Sequence, residues 1–203
     1  DDDAETRDVT AWARRTLALL LSQSGGFRDV EESVALLREN ATDGRLSAED
    51  LSLTINVLAN RPEPAHWRRA LELLDELSKL QSLSNGQRVT RVQLLERCGR
   101  WNDARNELVA LVSRPPAPTA VLSLLVEKLI QHGEKDTARI WLKKLGDQEP
   151  DSTAVLVLQA QLAQADNDRA AATEAARRLM PDDSTKVPPE QVGATAMLME
   201  RLG

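Results

Sequence analysis

The sequence predicts an all-α protein. Its 203 residues are 41% hydrophobic but only 2% aromatic, with no tyrosine, so alanine and leucine must fill the core. These two residues favour helices, whereas the β-branched and aromatic residues that mark strands are sparse and never alternate over a long run. Small residues and leucines also recur at steps of 34 positions, which indicates a chain built from helical repeats.

The repeat is clearest in two columns of residues. Each leucine of one column follows an alanine of the other by two helical turns, so both lie on the same helix face. The columns are Ala70, Ala104, Ala138 and Ala172, and Leu77, Leu111, Leu145 and Leu179. A third column between them contains Leu74, Leu108, Leu142 and Ala176. We expect all three columns to be buried where helices pack.

An earlier copy of the unit contains Phe27, Val30, Val34 and Leu37. It lies 40 rather than 34 residues before the next copy, and we interpret residues 40–45 as a loop insertion that takes up the extra length.

Caps and turns divide each unit into two helices. Ser47 with Asp50, and Ser84 with Gln87, have the spacing of a capping box or a related cap, while Pro116 and Pro150 end helices. Turns are predicted at Gly25-Gly26, at 61–64, at Gly99, at Gly133 and at 166–168. The predicted helices are therefore 8–23 and 27–40, 47–60 and 64–80, 86–98 and 101–113, 118–131 and 134–146, 152–165 and 167–180, with an unpaired last helix at about 188–202.

This pattern resembles the tetratricopeptide repeat (TPR) family of helix-turn-helix repeats. The resemblance is strongest in the second helices, in Trp67, Ala70, Leu74 and Leu77, and in Trp101, Ala104, Leu108, Leu111 and Pro116. In the first helices Leu17, Leu21, Leu122, Leu125 and Leu129 fit the family pattern, whereas Arg91 and Gln159 replace a leucine and Val92 and Val126 replace small residues.

The resemblance implies a right-handed α-solenoid of about five antiparallel helix pairs, plus a C-terminal capping or unpaired helix. We expect an acidic tail at 1–7 and one solenoid domain at 8–203. Its repeats would be about 8–40, 47–80, 85–116, 118–150 and 152–184. Trp67 and Trp101 should pack as the repeat's aromatic residues, and Trp12 and Trp141 against a terminal or adjacent repeat.

The charge and the motifs exclude several classes of function. A net charge of −6 and a pI near 5.1 disfavour binding to nucleic acid or to anionic lipid. No apolar run approaches the ~20 residues of a membrane span, so we expect a soluble chain whose compartment stays open. The single Cys98 allows no internal disulfide, and no catalytic, cofactor-binding or metal-binding motif is found. His66 and His132 are interpreted as solvated or locally bonded.

In a solenoid of the TPR type the first helices line the concave surface, so the resemblance places a peptide-binding groove there. Two rows of residues recur along these helices, Val89, Ser123 and Val157, and Gln93, Glu127 and Gln161. Amides and aliphatic side chains in such rows could hold a peptide, although a hydrated groove without a dedicated ligand is the alternative. The cations with which chaperone-binding members clamp a terminal carboxylate are missing.

We therefore predict a non-enzymatic scaffold or adaptor that binds a protein or peptide and requires no cofactor. The N-terminal sequence Asp1-Asp2-Asp3 lacks an initiator methionine, so we also expect the chain to be a piece of a larger protein. Two alternatives remain open at this point. One is a regulatory or oligomerisation segment of a larger enzyme, and the other is a helical-repeat RNA binder, which the acidic charge disfavours.

Overall fold

The computed structural model describes residues 2–24, 26–113, 117–150 and 152–179, and this part of the chain is all-α. Its helices are α1 (Asp2–Ser24), α2 (Phe27–Arg38), α3 (Ala48–Ala59), α4 (Pro64–Leu80), α5 (Asn85–Arg97), α6 (Trp101–Val112), α7 (Thr119–Gln131), α8 (Lys135–Gln148), α9 (Thr153–Ala165) and α10 (Arg169–Leu179). The predicted fold class is confirmed. The predicted terminal helix at 188–202, the end of the repeat at 152–184 and the stop at Pro116 lie outside the described residues.

The predicted helix bounds agree with the observed ones to within about two residues at every end except the start of α1. That helix begins at Asp2 instead of residue 8, so most of the predicted acidic tail is helical. No proline or glycine interrupts residues 2–7, and carboxylates near a helix N-terminus interact favourably with the helix dipole. The division into a tail and one solenoid domain stays a prediction.

The helices form two compact units, Asp1–Glu107 and Leu108–Gly203, and the division falls within α6. In the first unit α1 packs on α2 and α3 on α4, which are helix hairpins. Successive hairpins meet because α2 packs on α3, α4 on α5, and α1 on α3. The second unit repeats this arrangement, with α7 on α8, α9 on α10, α8 on α9, and α7 on α9.

The three repeat columns form the core of both units, as predicted. All four column alanines are 0% exposed, which lets helix backbones approach closely. Seven of the remaining eight column residues are leucines, and none of the eight is more than 7% exposed. In the earlier copy Val30, Val34 and Leu37 are also buried. The spacing of the sequence therefore identified the packed faces correctly.

Several apolar residues near the N-terminus are exposed, contrary to prediction. Trp12, which was expected to pack against a terminal or adjacent repeat, is 65% exposed. Leu17, which fits an apolar position of the family pattern, is 45% exposed. Among the described residues α1 packs on α2 and α3, and Ala18 is its buried residue. Phe27 is 64% exposed and stacks on the ring of His66, with 6.4 Å between ring centroids.

The other tryptophans are half-buried. The Trp67 indole donates a hydrogen bond to the Arg61 carbonyl, and the Arg97 guanidinium lies 5.6 Å from the Trp67 ring centroid. Trp141 has the Lys144 ammonium 4.9 Å from its ring centroid. Cations over aromatic faces are attracted by the ring quadrupole, so each contact uses one face of its indole.

Three of the predicted turns end their helices in the same way. Gly99 and Gly133 adopt φ of 72° and 76°, and Asn167 takes the equivalent position with φ of 60°. After Gly133 the amide of Glu134 donates to the Leu129 carbonyl at 2.8 Å, which satisfies a carbonyl of the last helical turn. Asparagine is the usual substitute for glycine in this left-handed conformation, which explains why the turn at 166–168 needs no glycine.

We expect Gly133→Ala to lower the free energy of unfolding by about 1–2 kcal/mol. An added Cβ would meet no atom within 4 Å, so the loss would come from the backbone conformation alone. Gly146→Ala is the matched control, because Gly146 lies inside α8, where alanine should stabilise by about 0.5–1 kcal/mol. Urea unfolding of both variants measures the difference, and a stabilised Gly133→Ala would contradict this account.

Candidate peptide-binding cleft

The predicted groove residues lie on the first helices of their hairpins. Val89 and Gln93 are on α5, Ser123 and Glu127 on α7, and Val157 and Gln161 on α9. Gln93 is exposed and the other five are half-buried. The structure places each pair on the helix that the repeat predicted.

In the first unit α3 and α5 are joined by side-chain hydrogen bonds at two levels. The Gln87 amide donates to the Ser52 hydroxyl at 3.1 Å, and Arg97 Nη1 donates to the Ala59 carbonyl at 2.8 Å. Gln87 also completes the capping box predicted with Ser84, since each residue's side chain bonds the other's backbone amide. The start of α5 is thereby fixed against α3.

Between these two levels lies a cleft of about 70 Å³, which we call the amide cleft. Asn56 of α3 and Asn60, which follows the last residue of α3, line it together with Thr90, Gln93 and Arg97 of α5. The Asn60 amide donates to the Asn56 backbone carbonyl at 3.0 Å, and the Thr90 hydroxyl donates to Gly86, so both are partly occupied within their own helices.

The side chains of Asn56 and Gln93 form no hydrogen bond within the part of the chain that the structure describes, and both are exposed. A carboxamide offers a donor and an acceptor together, which matches the N–H and C=O of a peptide backbone. The cleft volume suits one side chain or one peptide unit, so a longer ligand would lie across the surface with a single group inserted.

The residues of the second unit are arranged differently. The Glu127 carboxylate accepts a hydrogen bond from the Gln131 amide at 2.9 Å, and Gln131 in turn accepts one from Lys128 at 3.1 Å. Val157 packs against a buried cluster that includes Ala175 and Ala176 of α10, so part of its surface is already covered. Ser123 and Gln161 stay half-buried on helices that pack on each other.

The sequence analysis predicted Gln93 but missed Asn56, Asn60 and Arg97. Asn56 and Asn60 stand one helical turn apart, at the end of a helix that is otherwise largely apolar, and this spacing was the available signal. Arg97 could not be placed, because its role depends on meeting the end of α3.

Solved structures provide the comparison with known proteins. YrrB, whose structure is described as a TPR protein with an unusual peptide-binding site, matches with a TM-score of 0.63 at 14% identity, over 98% of this chain and 96% of that one. MamA (residues 41 to the end) from Desulfovibrio magneticus RS-1 matches with a TM-score of 0.63 at 18% identity, over 95% and 96% of the two chains. This chain has a TPR-like fold.

The resemblance predicted from the sequence is thus confirmed for the fold. No protein-family model matches this TPR-like chain, and no curated protein sequence matches it. Another MamA structure, MamA MSR-1 C2, matches with a TM-score of 0.55 at 15% identity.

Neither a metal-binding cluster nor a membrane-spanning helix is present among the described residues of this TPR-like chain. No group of three or more His, Cys, Asp and Glu side chains in that part is arranged to hold a metal ion. None of the helices there combines the length and the apolar character that crossing a bilayer requires.

Proposed function

We propose that this chain is a protein-interaction scaffold that binds an extended peptide segment of a partner across α3 and α5, with one polar group of the peptide in the amide cleft. The observation that carries the proposal is the pair of exposed carboxamides, Asn56 and Gln93, on neighbouring first helices of a TPR-like fold. The peptide-binding site described for YrrB supports a ligand of this kind.

The geometry favours a peptide over a small molecule. The cleft is small and polar, whereas small-molecule pockets enclose several hundred Å³ and are mostly apolar. Arg97 is held by Ala59 and by the Trp67 ring, so it gives the cleft a fixed positive wall. A peptide carbonyl or carboxamide inserted beside Arg97 would accept a charge-assisted hydrogen bond, which is stronger than a neutral one.

The proposal predicts that truncating the two amides weakens binding. Peptides would first be selected against the full chain from a random display library, and their affinities measured by fluorescence anisotropy. Asn56→Ala with Gln93→Ala should reduce affinity about ten-fold, since each lost hydrogen bond contributes roughly 0.5–1.5 kcal/mol.

Asn102→Ala is the matched control, because Asn102 is an exposed amide of the same unit that lies outside the cleft. Selected peptides that bind the double variant as tightly as the parent chain would contradict the proposed site. The same titration with single-stranded RNA tests the alternative nucleic-acid function, which predicts binding at low salt.

A further inference from the structure

The insertion that breaks the repeat folds into a tight turn between α2 and α3. Thr42 and Arg45 exchange two backbone hydrogen bonds of 3.0 Å each. The two residues between them, Asp43 and Gly44, have φ of 51° and 74°, which is the pattern of a type I′ turn. The extra residues therefore form a defined projection beside α2 and α4.

This projection forms one wall of a cavity of about 690 Å³, which we call the basic groove. The end of α2 contributes Arg38, the turn contributes Arg45, and α4 contributes Arg69, Lys79 and Leu80. Among the lining residues four are cations and only Glu76 is an acid. The groove shares no residue with the amide cleft.

Most of this positive charge is not neutralised by residues in the described part of the chain. Arg38, Arg45 and Lys79 are exposed, and their side chains form neither an ion pair nor a hydrogen bond with residues that the structure describes. Arg69 is paired, with Glu72 at 2.8 Å and Glu76 at 3.8 Å. In a chain of net charge −6, this is a local surplus of cations, which attracts anionic groups.

The groove also offers apolar surface next to the cations. Leu80, the last residue of α4, is 59% exposed, and Leu46 is half-buried beside the turn. Inorganic phosphate could neutralise the cations but would leave Leu80 in water. A ligand with both carboxylates and aliphatic side chains would satisfy the two surfaces together.

We propose that the basic groove is a second interaction surface, which binds an acidic peptide segment of a partner protein with leucine-like side chains between its carboxylates. The carboxylates pair with Arg38, Arg45 and Lys79, and an aliphatic side chain covers Leu80. This surface is independent of the proposed function of the amide cleft, because the two sites share no lining residue and use different chemistry.

The test uses the full chain and a fluorescein-labelled pool of short peptides randomised over Asp, Glu and Leu. A matched pool contains Asn and Gln in place of the acids. We expect the acidic pool to bind, the neutral pool to bind at least about ten-fold more weakly, and added salt to weaken binding. Excess inorganic phosphate, added at constant ionic strength, should leave most of the acidic pool bound.

Two variants locate the binding. Arg45→Glu with Lys79→Glu should weaken binding of the acidic pool at least about ten-fold, whereas Arg28→Glu with Arg68→Glu, exposed cations of α2 and α4 outside the groove, should have little effect. Leu80→Ser should weaken binding without changing its salt dependence. Circular dichroism and urea unfolding check that each variant is folded.

No binding of the acidic pool would overturn the proposal, as would equal losses in the groove and control variants. Displacement by phosphate together with an unchanged Leu80→Ser variant would also overturn it, because only an anion site would then remain. Asn56→Ala with Gln93→Ala should leave this binding unchanged, so failure here and failure of the amide cleft are distinguishable.

Discussion

Replacing Arg15 with alanine should lower the free energy of unfolding by about 3–5 kcal/mol. Arg15 of α1 donates two hydrogen bonds of 2.8 Å to the two carboxylate oxygens of Asp50 in α3. Asp50 is only 1% exposed, so removing the guanidinium would leave a buried charge without its counter-ion. Asn40, which donates to Asp50 at 2.9 Å, cannot replace that charge.

The neighbouring Arg14 provides the control. It pairs with Glu39 at 3.1 Å, but the two side chains are 32% and 57% exposed, and exposed pairs contribute about 0–1 kcal/mol. Arg14→Ala should therefore cost far less than Arg15→Ala in urea unfolding. Equal losses would show that burial of Asp50 does not matter.

The same pair makes stability depend on pH. Burial acts to raise the pKa of Asp50, but hydrogen bonds from Arg15, Ser47 and Asn40 outweigh it, so the pKa lies below its ordinary value. The stability that Asp50 contributes is then complete above the unfolded pKa of about 3.9 and is lost as the pH falls through the lower folded pKa.

Arg15→Ala removes the hydrogen bonds and the positive charge that lower the pKa of Asp50 most. Burial should then raise the pKa of Asp50 above its ordinary value. Acid would then favour the folded variant relative to the parent. We expect the difference in unfolding free energy between parent and variant to be largest at neutral pH and to narrow below pH of about 4. If the difference in unfolding free energy between parent and variant stayed constant across this pH range, the pH dependence could not be assigned to Asp50.

The second large effect is expected for Leu145→Ala, which should lower the free energy of unfolding by about 2–5 kcal/mol. Leu145 belongs to the leucine column and is 0% exposed, so its truncation removes apolar contact and leaves a cavity. Ile140 of the same helix is 70% exposed, and Ile140→Ala should change stability by no more than about 0.5 kcal/mol.

Both variants change one aliphatic side chain of α8, so differences in helix propensity are small beside the expected gap. Thermal or urea unfolding of the two variants measures this difference in stability directly. Similar losses for Leu145→Ala and Ile140→Ala would mean that the column does not form the packed face.

Sequence reasoning succeeded where the physics is local or periodic. A helix repeats every 3.6 residues, so alanine and leucine at fixed steps predicted which faces of α4, α6, α8 and α10 are buried. Glycine turns and caps depend on neighbouring residues only, and the predicted capping box at Ser84 and Gln87 is formed.

The cap at Ser47 shows where this reasoning reaches its limit. Its hydroxyl accepts a hydrogen bond from the Asp50 amide, as the spacing predicted. The Asp50 carboxylate, however, binds Arg15 and Asn40. Arg15 lies on another helix, 35 residues away in sequence, so no local pattern could reveal that Asp50 joins α1 to α3.

In the candidate sites, too, some residues were indicated by the sequence pattern and others are brought together only by tertiary contacts. The repeat placed Gln93 on a first helix, where the structure has it, but the proposed amide cleft also includes Asn56 and Arg97. The proposed basic groove includes a turn that the sequence identified only as extra length. The predicted packing of Trp12 was wrong, because an apolar residue in a helical pattern is buried only where another helix covers its face.

By itself, the sequence determined the all-α class, the order of the helix hairpins and the faces that pack, because backbone geometry and apolar periodicity act over a few residues. Tertiary structure decided which charges are buried, which apolar side chains stay in water and where clefts open. Those properties depend on side chains that are distant in sequence and meet only after the hairpins have packed.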